Sequence, residues 1–413
     1  MRRRPASGGA VRMTPDLARS YSGPLEPFPE PLHRSWAGTV LSGRIGAFLS
    51  RWEPVLTGSS EGVGRALWTL AAELRSPEPA IMDEALETAW HPFAGVVPLV
   101  RADVDAGPAA LARLAQLLLR LAARRAVEGW VRIGTPVRLG FEGYRLPPCE
   151  EIELDCSGSL LTLRLDRGGE PLVFRRRDDG RWHSRAGAVV HAGPEVSIAG
   201  RRIAVYPLAR SYLQKDPKVV LPPTDGVAKL REAARLIESL PSFATWVART
   251  VRMAIPLRRS RHRYDSESFA ALPGAVFISL HPDSIRTAET LVHESCHDHL
   301  HLLLALDPLA DASGEESFFS PPRASMRPTL GILKAYHAFA NVLCFYYLLE
   351  AAGRPMEGSY GRGIGNLEAW NDHFVQCLDK ARTVTAMGEA LWRPLARRVD
   401  QLREVAHLVR RAA

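Results

Sequence analysis

His293, Glu294 and His297 form an H-E-x-x-H motif, with Ser295 and Cys296 between them. On a helix, residues four apart share one face, so both imidazoles can reach one metal ion. Glu294 projects in a neighbouring direction and can touch what else the ion binds. Two histidines do not complete a mononuclear site, so a third protein ligand must come from elsewhere, leaving open positions for water or substrate. The best candidate is His337. It recurs with Lys334 and Asn341 as a polar stripe in an otherwise apolar stretch, and polar groups there need a partner. A carboxylate in the set is the alternative, from Glu294 itself or Glu316. The motif also admits a zinc metallopeptidase, with Glu294 as general base toward a metal-bound water.

Certain elements must position these residues. Gly274 to Leu280 reads as a short buried strand. Asp283 or Ser284 then caps a helix with apolar residues from Ile285 to Leu300 at helical spacing, placing the motif about two turns in. Pro328 opens a second, mostly apolar helix over 329–352 that carries Lys334, His337 and Asn341.

Around this centre, residues 1–35 are rich in Pro, Gly, Ser and Arg and are expected to form a flexible segment. Residues 36–130 read as helical. Residues 131–222 break into short alternating runs separated by Gly, Pro and Asp turns, an antiparallel β-rich region. Residues 223–413 form the helical metal-site domain. Within it, helical spacing continues over 242–255, and 258–272 reads as irregular. His183 and His191 in the β region lack a companion motif and read as surface or cross-strand residues.

Composition excludes several classes. No unbroken apolar run reaches about 18 residues, so no membrane span is expected. The basic start, Met1-Arg-Arg-Arg4, lacks a following apolar core, which argues against a secretory signal. The 5 cysteines are scattered and odd in number, which suits reduced thiols in a cytoplasm. The net charge of +8 would suit an acidic partner. Its arginines are not interleaved with aromatics, however, so a nucleic-acid surface is not expected.

Two stretches carry a family resemblance. Ser266 to Leu280 with Ala288 to His297, and Ser320 to Pro328 with Gly331 to Phe339, resemble the HExxH-containing peptide-modification proteins that act on ribosomally made peptides. The match spans about residues 260–350. The residue patterns together read as an α+β protein, mainly helical, with a small antiparallel β region in the middle and a zincin-like motif helix. The resemblance implies an Fe(II)- and 2-oxoglutarate-dependent β-hydroxylase, with Zn as the alternative metal. The expected partners are a precursor peptide substrate and a radical SAM maturase of the same pathway, with no membrane. Fe(II) would sit on His293, His297 and a third group, with Glu294 orienting water or ligand. The far carboxylate of 2-oxoglutarate needs a cationic fork, and Arg323 and Arg327, four apart, are the candidates. A non-catalytic, peptide-binding member is the remaining reading.

Overall fold

The computed structural model describes residues 13–412, apart from 27–29, 60–62, 91–107, 143, 185–189, 192–193, 206–223, 259–264, 271, 312–315 and 355–359. The class is α+β and helices dominate. The N-terminal stretch is more ordered than its composition suggests. Thr14 Oγ1 accepts from Leu17 N, and Pro15 sits at the first helical position of α1 (Pro15–Ser20). Leu17 and Tyr21 are then fully buried, and α1 lies against the C-terminal helix. This corrects the expectation of a flexible 1–35 for its described part: a cap and two large apolar anchors outweigh the Pro/Gly content around them.

Four helices follow: α2 (Glu30–Ser59), α3 (Val63–Glu73), α4 (Pro79–Ala89) and α5 (Pro108–Ala122). The chain then turns into an antiparallel meander of β1 (Val127–Phe141), β2 (Tyr144–Ser157), β3 (Leu160–Leu165), β4 (Leu172–Arg176) and β5 (Trp182–Ser184). A short β6 (Val190–His191) pairs with β2. Alternate residues such as Ile152, Leu154, Leu161 and Leu163 are buried, as a half-solvated sheet requires. The leucine face of α5 packs on β1.

The second sheet differs from the expected organisation. β7 (Glu195–Ile198) and β8 (Arg201–Val205) do not stay with the meander. They join β9 (Met253–Pro256), β10 (Ser266–Ser268) and β11 (Ala275–Ile278) in the order β10-β11-β9-β8-β7. β8, β9 and β11 run parallel, and the edge strands are antiparallel. Parallel neighbours need a crossover, and α6 (Thr224–Glu238) with α7 (Pro241–Thr250) lie between β8 and β9. The helix expected over 242–255 therefore ends at Thr250. Met253 to Pro256 is apolar and buried throughout, and it goes into the sheet where it has neighbours on both sides. Part of the segment expected to be irregular becomes the edge strand β10.

β11 leads into α8 (Ser284–Leu306), whose N-cap Asp283 accepts from Ile285 N at 2.9 Å. After it comes a two-stranded ribbon, β12 (Ser317–Ser320) and β13 (Ser325–Pro328), joined by a 3-10 turn at Pro321–Arg323. Then come α9 (Thr329–Ala351), α10 (Tyr360–Lys380) and α11 (Ala386–Ala412). α9 is long and apolar enough to cross a membrane by composition, which a search for unbroken apolar runs does not register. Here 83% of that stretch is buried inside the chain, against α8, α10 and α11.

Candidate functional site

α8 presents His293 and His297 on one half-buried stripe, their rings edge to face with centroids 4.8 Å apart. This is the arrangement the i, i+4 spacing predicts. Phe339 of α9 covers one side of His293 at 4.9 Å and is itself backed by Trp370 and Phe374 of α10. One side of the histidine pair is therefore covered by aromatic rings. Burial pushes the His293 pKa down to about 4, with Arg323 adding to the effect and Glu289 opposing it. His297 is held well below its ordinary value, by burial first and then by His293, His301, His337 and Lys334. Both imidazoles are thus neutral at physiological pH, the form that ligates metals.

Glu294 is 2% exposed and turns toward the edge strand. Its Oε1 accepts from Ser266 Oγ at 2.6 Å and its Oε2 from Ser268 Oγ at 2.7 Å. Burial raises its pKa, and the two serine hydroxyls, His301 and Arg323 pull the other way. Ser266 and Ser268 went unremarked in the sequence. Their signal was available as two serines two apart, and so on one face of any strand. Asp298, one turn on from Glu294, is wholly buried, and its pKa is pushed well up by burial and by Glu294.

His337 lies on α9. It is fully buried, and its Nε2 donates to the Tyr21 carbonyl at 2.8 Å. Asn341 Nδ2 likewise donates to the Ser22 carbonyl at 2.9 Å. The polar stripe on α9 thus anchors the N-terminal segment that follows α1. Gly23 must stay a glycine there, because a Cβ would run into the Asn341 side chain. Glu316 is also committed elsewhere. It accepts from Thr383 Oγ1 at 2.7 Å, from Thr329 Oγ1 at 3.1 Å and from the Arg382 and Thr383 amides, clasping the ribbon base to the α10–α11 connection.

A metal fits this donor set as far as the two motif histidines go. Among the described residues no group of three His, Cys, Asp or Glu side chains converges as a complete site would. His337 spends its Nε2 on the Tyr21 carbonyl, while its buried Nδ1 has no hydrogen-bond partner, and its charge is felt by His297. The Glu294 oxygens accept from serine hydroxyls, and Glu316 accepts from threonine hydroxyls and two amides.

The two predicted arginines separate. Arg323 is exposed at the ribbon turn, and its charge reaches His293 and Glu294. Arg327 lies opposite Phe318 on the inner face of the ribbon and folds over Gly331, where a Cβ would come within 3.1 Å of its Nε. One turn along α9 is the half-buried Lys334. The pKa of Arg327 is lowered by burial and by Arg323, and that of Lys334 by burial and by Arg327. Among the described residues none of these cations has a carboxylate partner, and Glu315 lies outside them. Clustered like charges without a counter-ion are unfavourable unless an anion joins them. Lys334, part of the polar stripe read in the sequence, stands one turn beyond Gly331 and so on the same side of α9 as the ribbon end.

Comparison with protein-family models found no match to this chain, and comparison with curated proteins found none.

Proposed function

We propose that the chain is a metal-dependent peptide-modifying oxygenase of the Fe(II)/2-oxoglutarate type, acting on a ribosomally made precursor peptide in the cytoplasm. The observation that carries this reading is the conjunction of the neutral His293–His297 pair with an uncompensated cationic cluster of Arg323, Arg327 and Lys334. Water activation by a metal needs no such cluster, whereas a dicarboxylate co-substrate needs a cationic partner. Bound iron would supply oxygen activation, and His293 and His297 would hold it. Arg327 and Lys334, on the inner side of the ribbon, hold the far carboxylate of the oxoacid. Phe339, Trp370 and Phe374 keep water from the reacting face. Ser266 and Ser268 fix Glu294 and with it the turn of α8 that carries both ligands.

One observation favours the zinc peptidase reading. Glu294 is a buried carboxyl of raised pKa beside the histidine pair, as a general base requires. A single experiment divides the two. Anaerobically purified protein is loaded with Fe(II) or Zn²⁺ and given 2-oxoglutarate and a candidate precursor peptide. Succinate formation with one oxygen added to the peptide is the expected result. Zinc-dependent peptide cleavage without any need for 2-oxoglutarate would replace the oxygenase by the peptidase.

A further inference from the structure

The β12–β13 ribbon has two faces that do different things. Phe318 and Arg327 pair across it on the inner face, and Phe318 packs on the core. Phe319 and Met326 pair across it on the outer face, where they are 47% and 60% exposed. Two large apolar side chains directly opposite one another form a contiguous patch, not scattered exposure. The ribbon is also fixed in place. His373 Nε2 donates to the Phe319 carbonyl at 2.8 Å, Glu316 clasps its base, and Pro321 and Pro322 stiffen its turn. Ala324 is held left-handed at φ 48°, a conformation a non-glycine residue adopts only where its surroundings hold it there. The turn thus presents Arg323 rigidly, uncompensated among the described residues and within electrostatic reach of His293. A preorganised apolar pair with an adjacent free guanidinium loses little entropy on binding.

We infer that the outer face of this ribbon is the docking surface for the substrate peptide: Phe319 and Met326 take an apolar side chain and Arg323 reads an acidic residue beside it. The inference rests on the reading of the His293–His297 pair as the reacting centre, which the Arg323 charge at the ribbon turn reaches. Charge complementarity selects the occupant. The cations at the ribbon end lack carboxylate partners among the described residues, and the chain as a whole carries +8. Methionine beside an aromatic adapts to varied apolar partners, so the surface selects for charge pattern more than for side-chain shape.

The test is fluorescence anisotropy on the metal-free full chain, so that binding is read without turnover. The probes are a short fluorescein-labelled peptide with the core Glu-Leu-Phe-Glu and its analogue with lysine in place of glutamate. The acidic peptide should bind tighter by about tenfold at low salt, and the preference should shrink as salt rises. Arg323→Glu should reverse the order of the two peptides. The double variant Phe319→Ser with Met326→Ser should weaken both by a similar factor. The inference is overturned by undetectable or equal binding of the two peptides, or by an unchanged order in Arg323→Glu. It is also overturned by binding to phosphatidylserine vesicles that depends on Phe319 without any peptide preference. Succinate formation is measured separately. Peptide preference without turnover would sink the oxygenase reading and leave the surface standing, and turnover without preference would do the opposite.

Discussion

A histidine has two ring nitrogens, and its role follows from where both of them go. In His337 Nε2 holds the Tyr21 carbonyl and Nδ1 has no hydrogen-bond partner. His293 and His297 face one another on an open stripe. His293→Ala and His297→Ala should therefore each abolish stoichiometric metal content measured by elemental analysis, while the metal-free melting curve stays close to that of the parent. His337→Ala should do the reverse. It leaves a buried carbonyl unpaired and opens a cavity, so it should cost about 2–4 kcal/mol in urea unfolding with little change in metal content. Metal loss at unchanged stability in that variant would return His337 to the ligand set. The sequence made the motif pair legible because spacing alone fixes a helix face. It could not reveal the partner of His337, because Tyr21 lies more than three hundred positions away in the chain. Acid response belongs here too. His33, His293, His301 and His337 have pKa values pushed down by burial to about 3, 4, 4 and 4. Their folded values lie below the unfolded value of about 6.5, so the unfolded chain takes up protons first as pH falls. The metal-free protein should be most stable above about pH 6.5 and lose stability progressively toward about pH 4. His337→Gln should flatten that slope, and urea midpoints across the window read it directly.

The elements that carry the site were visible where periodicity and capping agree. The strand over 275–278, the Asp283 cap and α8 were all readable in advance. The ribbon was not, because four-residue strands around a Pro-Pro turn give too short a period to register. β9 was taken for helix because Met253 to Pro256 is uniformly apolar, and a fully buried strand lacks the alternation that marks a surface one. The ribbon meets α9 at Gly331. Alanine there would be favoured in a helix by about 1 kcal/mol. Its Cβ, however, would press on the Arg327 side chain, with Nε at 3.1 Å and Cζ at 3.5 Å. Arginine can swing out, so Gly331→Ala should keep or raise the melting temperature while weakening 2-oxoglutarate. An increase of about fivefold or more in the oxoacid concentration needed for half-maximal succinate formation is expected. An unchanged requirement would remove Arg327 from the co-substrate site.

One continuous core runs from Met13, just ahead of α1, to Ala406 in α11, and the boundaries read from composition do not divide it. The shift from helical to alternating pattern near residue 131 is real, since β1 begins at Val127. The return to helix at 223 is equally real, with α6 starting at Thr224. Neither change of pattern is a change of domain. β8, from the β-rich region, pairs in parallel with β9 of the motif region, and Ala204 N donates to the Arg252 carbonyl at 3.1 Å. Arg201 and Arg252 share Glu87 of α4, and Trp90 Nε1 donates to the Thr250 carbonyl at 2.8 Å. α9 holds Tyr21 and Ser22 through His337 and Asn341. Local pattern reports the type of each element, whereas these ties are long-range and depend on which edges and carbonyls remain free once the elements form. A fragment spanning 223–413 keeps the whole motif but loses both β7 and β8 from the sheet, exposing an edge of β9 that is buried and apolar. It also strips the Tyr21 acceptor from His337 and the Ser22 acceptor from Asn341. The fragment should therefore be insoluble or unfold without a cooperative transition by circular dichroism. The full chain should melt as one unit, with metal raising its midpoint only when His293 and His297 are both present. A soluble 223–413 fragment that melts cooperatively and binds metal would show that the motif region stands alone, and that the shared sheet is a docking contact between independent units.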